Sequence, residues 1–170
     1  MAIPWITKIS NVMQKIGNWF VIFCLALMTI IVNLQVFYRF ILKNPLSWTI
    51  ELSTYLLVYA VLIGAGTALI RLEFIKVEFF QNLMPHKIQW FFELFSNFLI
   101  LWFLYISVTG SETLIQQAAL TQVVSPALNV EMEYIYRGFQ IGFLYLGFFN
   151  IIRIIELIAA GPQIKKGANQ

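Results

Sequence analysis

Four long apolar stretches, Gly17 to Tyr38, Thr49 to Ile70, Trp90 to Thr109 and Tyr134 to Ala160, restrict this chain to very few folds. Away from their ends they contain no Lys, Arg, Asp or Glu. A bilayer core of ~30 Å is crossed by about 20 apolar residues in a helix, and each stretch meets that length. A chain of 170 residues that is 60% hydrophobic and 11% charged cannot hide this surface in one small soluble core. The expected fold class is therefore an all-α integral membrane protein, one membrane domain over residues 1–170 with four transmembrane helices.

Charge and cysteine content exclude several classes. The formal charge of +3 comes from basic residues spread thinly along the membrane edges, which does not make a nucleic-acid face. Cys24 is the only cysteine and lies inside the first span, so it forms no internal disulfide and carries no redox signal. Lys8 and Lys15 precede the first apolar run as they would in a signal peptide. That run, however, ends at Phe37-Tyr38-Arg39-Phe40 without a small-residue cleavage pattern, and is expected to stay as a helix.

The basic residues also set an expected orientation. Lys8 and Lys15 precede span one, Arg71, Lys76 and Lys87 lie between spans two and three, and Lys165 and Lys166 follow span four. The opposite side has Arg39 and Lys43, while the connection from Gly110 to Glu133 has no Lys or Arg. The positive-inside rule then places both termini in the cytoplasm.

Two connecting segments show helical patterning. Near the N-terminus, residues 5–16 put Trp5, Ile6, Ile9, Val12, Met13 and Ile16 on one face and Lys8, Ser10, Asn11, Gln14 and Lys15 on the other. The pattern predicts an interfacial helix along the cytoplasmic leaflet, or a short helix packed on the other connections. From Arg71 to Lys87, Leu72, Ile75, Phe79 and Leu83 recur at helical spacing, which predicts a second surface-lying or protein-covered helix, with Pro85 opening the next one. Beyond span three, Leu114, Ile115, Ala118 and Ala119 extend the helix until Ser125-Pro126 breaks it, and Glu112, Glu131 and Glu133 make that outer surface mildly acidic. No internal repeat is evident, so the pseudo-symmetry of many carriers finds no support.

Catalytic and cofactor chemistry lacks its residues. His86 is the only histidine and sits outside the spans, which excludes a bis-histidine haem or a histidine-rich metal centre within one chain. No phosphate-binding glycine loop and no nucleophile with a base partner is present, so an enzyme is not expected. An ion-coupled carrier needs an ionisable group or unwound helices near the midplane. Here Glu51, Glu93, Arg137, Arg153 and Glu156 all lie within a turn or two of a span boundary. The remaining polar residues, including Asn33, Gln35, Asn97, Ser107 and Asn150, suit interhelical hydrogen bonds worth about 1 kcal/mol or less each.

Several positions suit assembly. Arg39 and Glu51 fall at the outer ends of spans one and two, flanking a short link with Pro45 and Trp48. An ion pair, or Arg39 holding lipid phosphate, would pin these ends; solvated interfacial charges are the alternative. Trp48 fits the aromatic belt. Arg153 and Glu156, three apart, are expected to pair locally. Small residues at Ala60, Gly64 and Ala68, and at Gly138 and Gly142, favour close helix contact. These features point to a membrane-embedded accessory subunit, against an autonomous homo-oligomeric carrier whose path Gln35, Asn97 or Asn150 would have to line.

The order Arg39, Trp48 and Glu51 opening span two, Gly64-Ala65 in its middle, Arg71 at its end, Phe74-Ile75-Lys76-Val77-Glu78 and then Met84-Pro85 resembles the small membrane subunit of TRAP (tripartite ATP-independent periplasmic) transporters. The resemblance runs from span one to span four and is most specific from Arg39 to Pro85. Many members have a second acid where this chain has Leu52 and a histidine where it has Phe74, so roles tied to those positions are not carried over. The resemblance implies a multi-pass protein of the bacterial inner membrane. Its partners would be a large membrane subunit, which carries the substrate and sodium sites, a periplasmic substrate-binding protein, and phospholipid. It implies no cofactor in this chain and no nucleic-acid partner. The cargo would be an organic anion of the C4-dicarboxylate or sialic acid class, and Arg39, Trp48, Glu51, Gly64 and Arg71 would serve assembly or lipid contact.

Overall fold

A computed structural model describes residues 4–71 and 86–160, with side chains over 10–69 and 88–159. Four helices account for nearly all of it: α1 (Pro4–Phe40), α2 (Ser47–Arg71), α3 (His86–Thr121) and α4 (Met132–Ala160). All four are long and apolar enough to cross a membrane. The fold class expected from the sequence is thus the one observed. The surface helix expected between Arg71 and Lys87 falls largely outside the described residues.

The N-terminal segment differs from expectation in detail. Residues 5–16 are helical, but they are the first turns of α1, which runs unbroken for 37 residues, about 55 Å at 1.5 Å per residue. Its apolar Val12 and Ile16 face outward, exposed, while Ser10 and Gln14 are buried against the rest of the chain. The reason lies further along the helix. Gly17, Cys24 and Ile31 are buried there, seven residues or two turns apart, with half-buried Val21 and Met28 between them, and the stripe extends backwards through Gln14 and Ser10. With no turn at Gly17, the inward face of the span dictates the inward face of the segment before it. Gln14 Nε2 meets Ser10 Oγ at 3.0 Å, so the two buried polar groups satisfy each other.

Helix ends follow from local chemistry. Lys43 takes a left-handed backbone (φ 53°) after α1, and the Asn44 N–H returns to the Tyr38 carbonyl at 3.2 Å. Gln122 does the same after α3 (φ 48°), so α3 stops at Thr121, before the Ser125-Pro126 break that the sequence suggests. The loop from 122 to 131 then folds on itself. Val124 and Glu131 form an antiparallel bridge, the Ser125 N–H bonds the Val130 carbonyl at 2.8 Å, and Asn129 adopts the left-handed turn that asparagine tolerates.

Packing runs from α1 to α2 to α4 to α3. Glycines and aromatics set the approach of α2 to α4. A Cβ on Gly138 would lie 2.7 Å from the Tyr59 ring, and one on Gly66 would lie 2.8 Å from the Tyr145 ring. Each ring therefore lies against bare backbone on the opposite helix. The hydroxyls reach main-chain carbonyls, Tyr59 to Ile135 at 3.2 Å and Tyr145 to Met13 of α1 at 3.1 Å. Gly142 accommodates Leu62 in the same way, so Gly138 and Gly142 do serve close contact. Gly64 does not. Among the described residues its Cβ would meet Val21 Cγ2 alone, at an ordinary 3.8 Å.

Candidate functional site

Charged and amide side chains gather at two levels, each tying together helices that are distant in sequence. The first lies where α1 hands over to α2 and α3 to α4. Glu51, in the second turn of α2, accepts hydrogen bonds at Oε1 from the Ser125 hydroxyl and from Tyr55 Oη (2.6 Å), and at Oε2 from the Ala127 N–H (3.0 Å). Ser125 is fully buried, and its Oγ also accepts the Leu128 N–H at 3.3 Å. One carboxylate thus holds the 122–131 loop onto α2. Thr49, also fully buried, turns its hydroxyl to the Leu46 carbonyl at 2.6 Å.

Arg39 takes no share in this cluster. Its exposed guanidinium lies 5.7 Å from the centre of the Phe40 ring, a cation–π distance, while the Glu51 oxygens are occupied by the loop and by Tyr55. Trp48 is half-buried nearby. Gly64 sits in the middle of α2, and the Arg71 backbone closes that helix about 30 Å from Glu51, twenty residues at 1.5 Å each. The Arg71 side chain lies outside the described residues. Of the five positions singled out in the sequence, only Arg39, Trp48 and Glu51 share one level.

The second level lies at the far ends of α3 and α4. Arg153 Nη2 meets Glu93 Oε1 of α3 at 2.6 Å, and the side chains are only 13% and 16% exposed. The expected local partner, Glu156, is the looser one, 3.7 Å from Nη1. A turn deeper, Asn150 Nδ2 approaches Asn97 Oδ1 at 3.4 Å, and Asn97 Nδ2 donates to the Glu93 carbonyl at 2.7 Å. Trp90 Nε1 donates to the Leu157 carbonyl at 3.0 Å. Toward the opposite end of the same helix pair, Gln140 Nε2 donates to Glu112 Oε2 at 2.9 Å. Polar clasps therefore hold α3 to α4 at both ends.

Ser125, Ala127 and Glu93 are the partners that sequence reading missed. Ser125-Pro126 reads as a helix breaker, and no spacing rule links it to a carboxylate 74 residues earlier. Chemically the two levels bind helices to one another. Gln35 lies on α1, whereas Asn97 and Asn150 face each other between α3 and α4, so within one chain these amides sit in different parts of the helix row. Among the described residues, no three His, Cys, Asp or Glu side chains are grouped to hold a metal.

Four membrane-length helices, clasped near their ends and free of charge at mid-span, define a multi-pass membrane protein whose interior is built for packing. The chain belongs to the family of tripartite ATP-independent periplasmic transporters, DctQ component, whose model matches residues 28–160. That family is a transporter component. The chain is also similar to the sialic acid TRAP transporter permease protein of Haemophilus influenzae, with 35% identity over 66 residues. The matched region is 39% of this chain and 11% of that much longer permease.

Proposed function

We propose that this chain is the scaffold subunit of a binding-protein-dependent, sodium-coupled transporter for organic anions, in the inner membrane with both termini cytoplasmic. The observation that carries the reading is where the charges lie. Glu51 is saturated by the 122–131 loop and Tyr55, Arg153 by Glu93 and Glu156, and no Lys, Arg, His, Asp or Glu side chain lies at mid-span in the described helices. A translocation path needs such groups or broken helices, and the four helices here are continuous. Substrate and sodium sites then belong to a large membrane subunit, which this chain braces while the transport part moves. The 122–131 loop, fixed to α2 by Glu51, belongs to the periplasmic side and helps dock the substrate-binding protein. The similar permease, named for sialic acid, favours a carboxylate sugar acid over a C4-dicarboxylate as cargo.

The test is uptake in proteoliposomes under a sodium gradient. The chain alone should give none, whereas the chain with its large subunit and loaded binding protein should transport. Uptake by the lone chain would establish the alternative, an autonomous homo-oligomeric carrier.

A further inference from the structure

The outward face of α1 carries one residue unsuited to lipid. Asn33 lies two positions beyond buried Ile31, which turns it about 200° away from the face that packs within the chain. It is exposed, and the only hydrogen bond its carboxamide makes among the described residues runs from Nδ2 to the Thr29 carbonyl of its own helix, at 2.7 Å. A second N–H and the Oδ1 acceptor are left facing outward. Depth makes this costly. Asn33 is six residues from Arg39, about 9 Å along the axis, and eighteen from Lys15, about 27 Å, which puts it inside the hydrocarbon. Acyl chains offer no hydrogen-bond partner at that level.

The outward face of α3 behaves differently. Ser107 and Thr109 return their hydroxyls to carbonyls of their own helix, at 2.9 and 3.0 Å, and the other exposed side chains there include Phe91, Phe95, Phe98 and Trp102. That face suits lipid. On α1, Phe23 and Ile30 project to either side of the small, exposed Ala26 and leave a notch for a neighbouring side chain one to two turns from Asn33.

We infer that the α1 face running through Phe23, Ala26, Ile30, Asn33 and Phe37 docks an apolar transmembrane helix of the large subunit, and that Asn33 meets a hydrogen-bonding group on it. The inference rests on the scaffold reading above and adds the contact face to it.

The test places the photo-crosslinker p-benzoyl-phenylalanine at Ile30, at Phe37 or, as a control, at Phe98, in cells that also produce the large subunit. Adducts with the large subunit from positions 30 and 37, and none from 98, are expected. Asn33→Leu should lower the co-purified large subunit roughly three- to tenfold, the range an interhelical hydrogen bond in a membrane supplies, and Asn33→Gln should restore part of it. Since leucine suits a lipid-facing position, the lone variant should keep its helix content and membrane yield. Adducts from position 98 alone would overturn the face while leaving the scaffold reading intact. An adduct with a second copy of this chain, or undiminished recovery of the Asn33→Leu complex, would overturn the inference. No adduct at any position together with no co-purification would defeat the scaffold reading as well.

Discussion

The Glu51 carboxylate on α2 accepts the Ser125 hydroxyl, a group 74 residues later in the chain, and so fixes the loop between α3 and α4 to the start of α2. The bond joins two helix pairs at the end where their connections meet. Ser125 is fully buried, which gives its hydroxyl no recourse to water if the carboxylate is removed.

Glu51→Ala should therefore loosen the 122–131 loop, because it strands the buried Ser125 hydroxyl. Limited proteolysis in nanodiscs should show faster cutting within 122–131, with Glu51→Gln intermediate. Unchanged cutting in both variants would mean that the loop is held by its own bridge alone.

Arg153 and Glu93 should behave as a partly buried pair. Removing one partner, as in Arg153→Met, is expected to cost about 3 kcal/mol, and the double variant Arg153→Met with Glu93→Met should recover much of the loss. Thermal unfolding in detergent across the double-mutant cycle measures this. Additive losses would show that the two side chains do not act as a pair.

The glycines on α2 should separate sharply. Gly66→Ala drives a methyl group into the Tyr145 ring and should cost about 1–3 kcal/mol, the usual penalty for overpacking. Gly64→Ala meets only ordinary contact and should stay within about 0.5 kcal/mol of the parent. Equal effects in unfolding experiments would contradict the packing of Tyr145 on α2.

Arg39 and Glu51 are distinguished by a further comparison. Arg39→Ala should leave the thermal stability of the lone chain within about 0.5 kcal/mol, because the guanidinium is exposed and, among the described residues, its polar or ring contact is with its neighbour Phe40. If Arg39 serves the large subunit or lipid, the same variant should lower recovery of the complex. Unchanged recovery and uptake would mark it as a solvated interfacial charge.

The sequence by itself determined the class of fold, the number of spans and the confinement of charge to their ends, because hydrocarbon imposes those conditions on each helix separately. It also placed Gly138 and Gly142 in a close helix contact. Only the tertiary structure decided the partners: Glu51 with Ser125 instead of Arg39, Arg153 with Glu93 ahead of Glu156, and Gly66 instead of Gly64 against an aromatic ring. Helical periodicity fixes which residues share a face, but helices apolar on nearly every side leave open which helix that face will meet. The order α1, α2, α4, α3 supplies that missing choice, and it turns Asn33 outward.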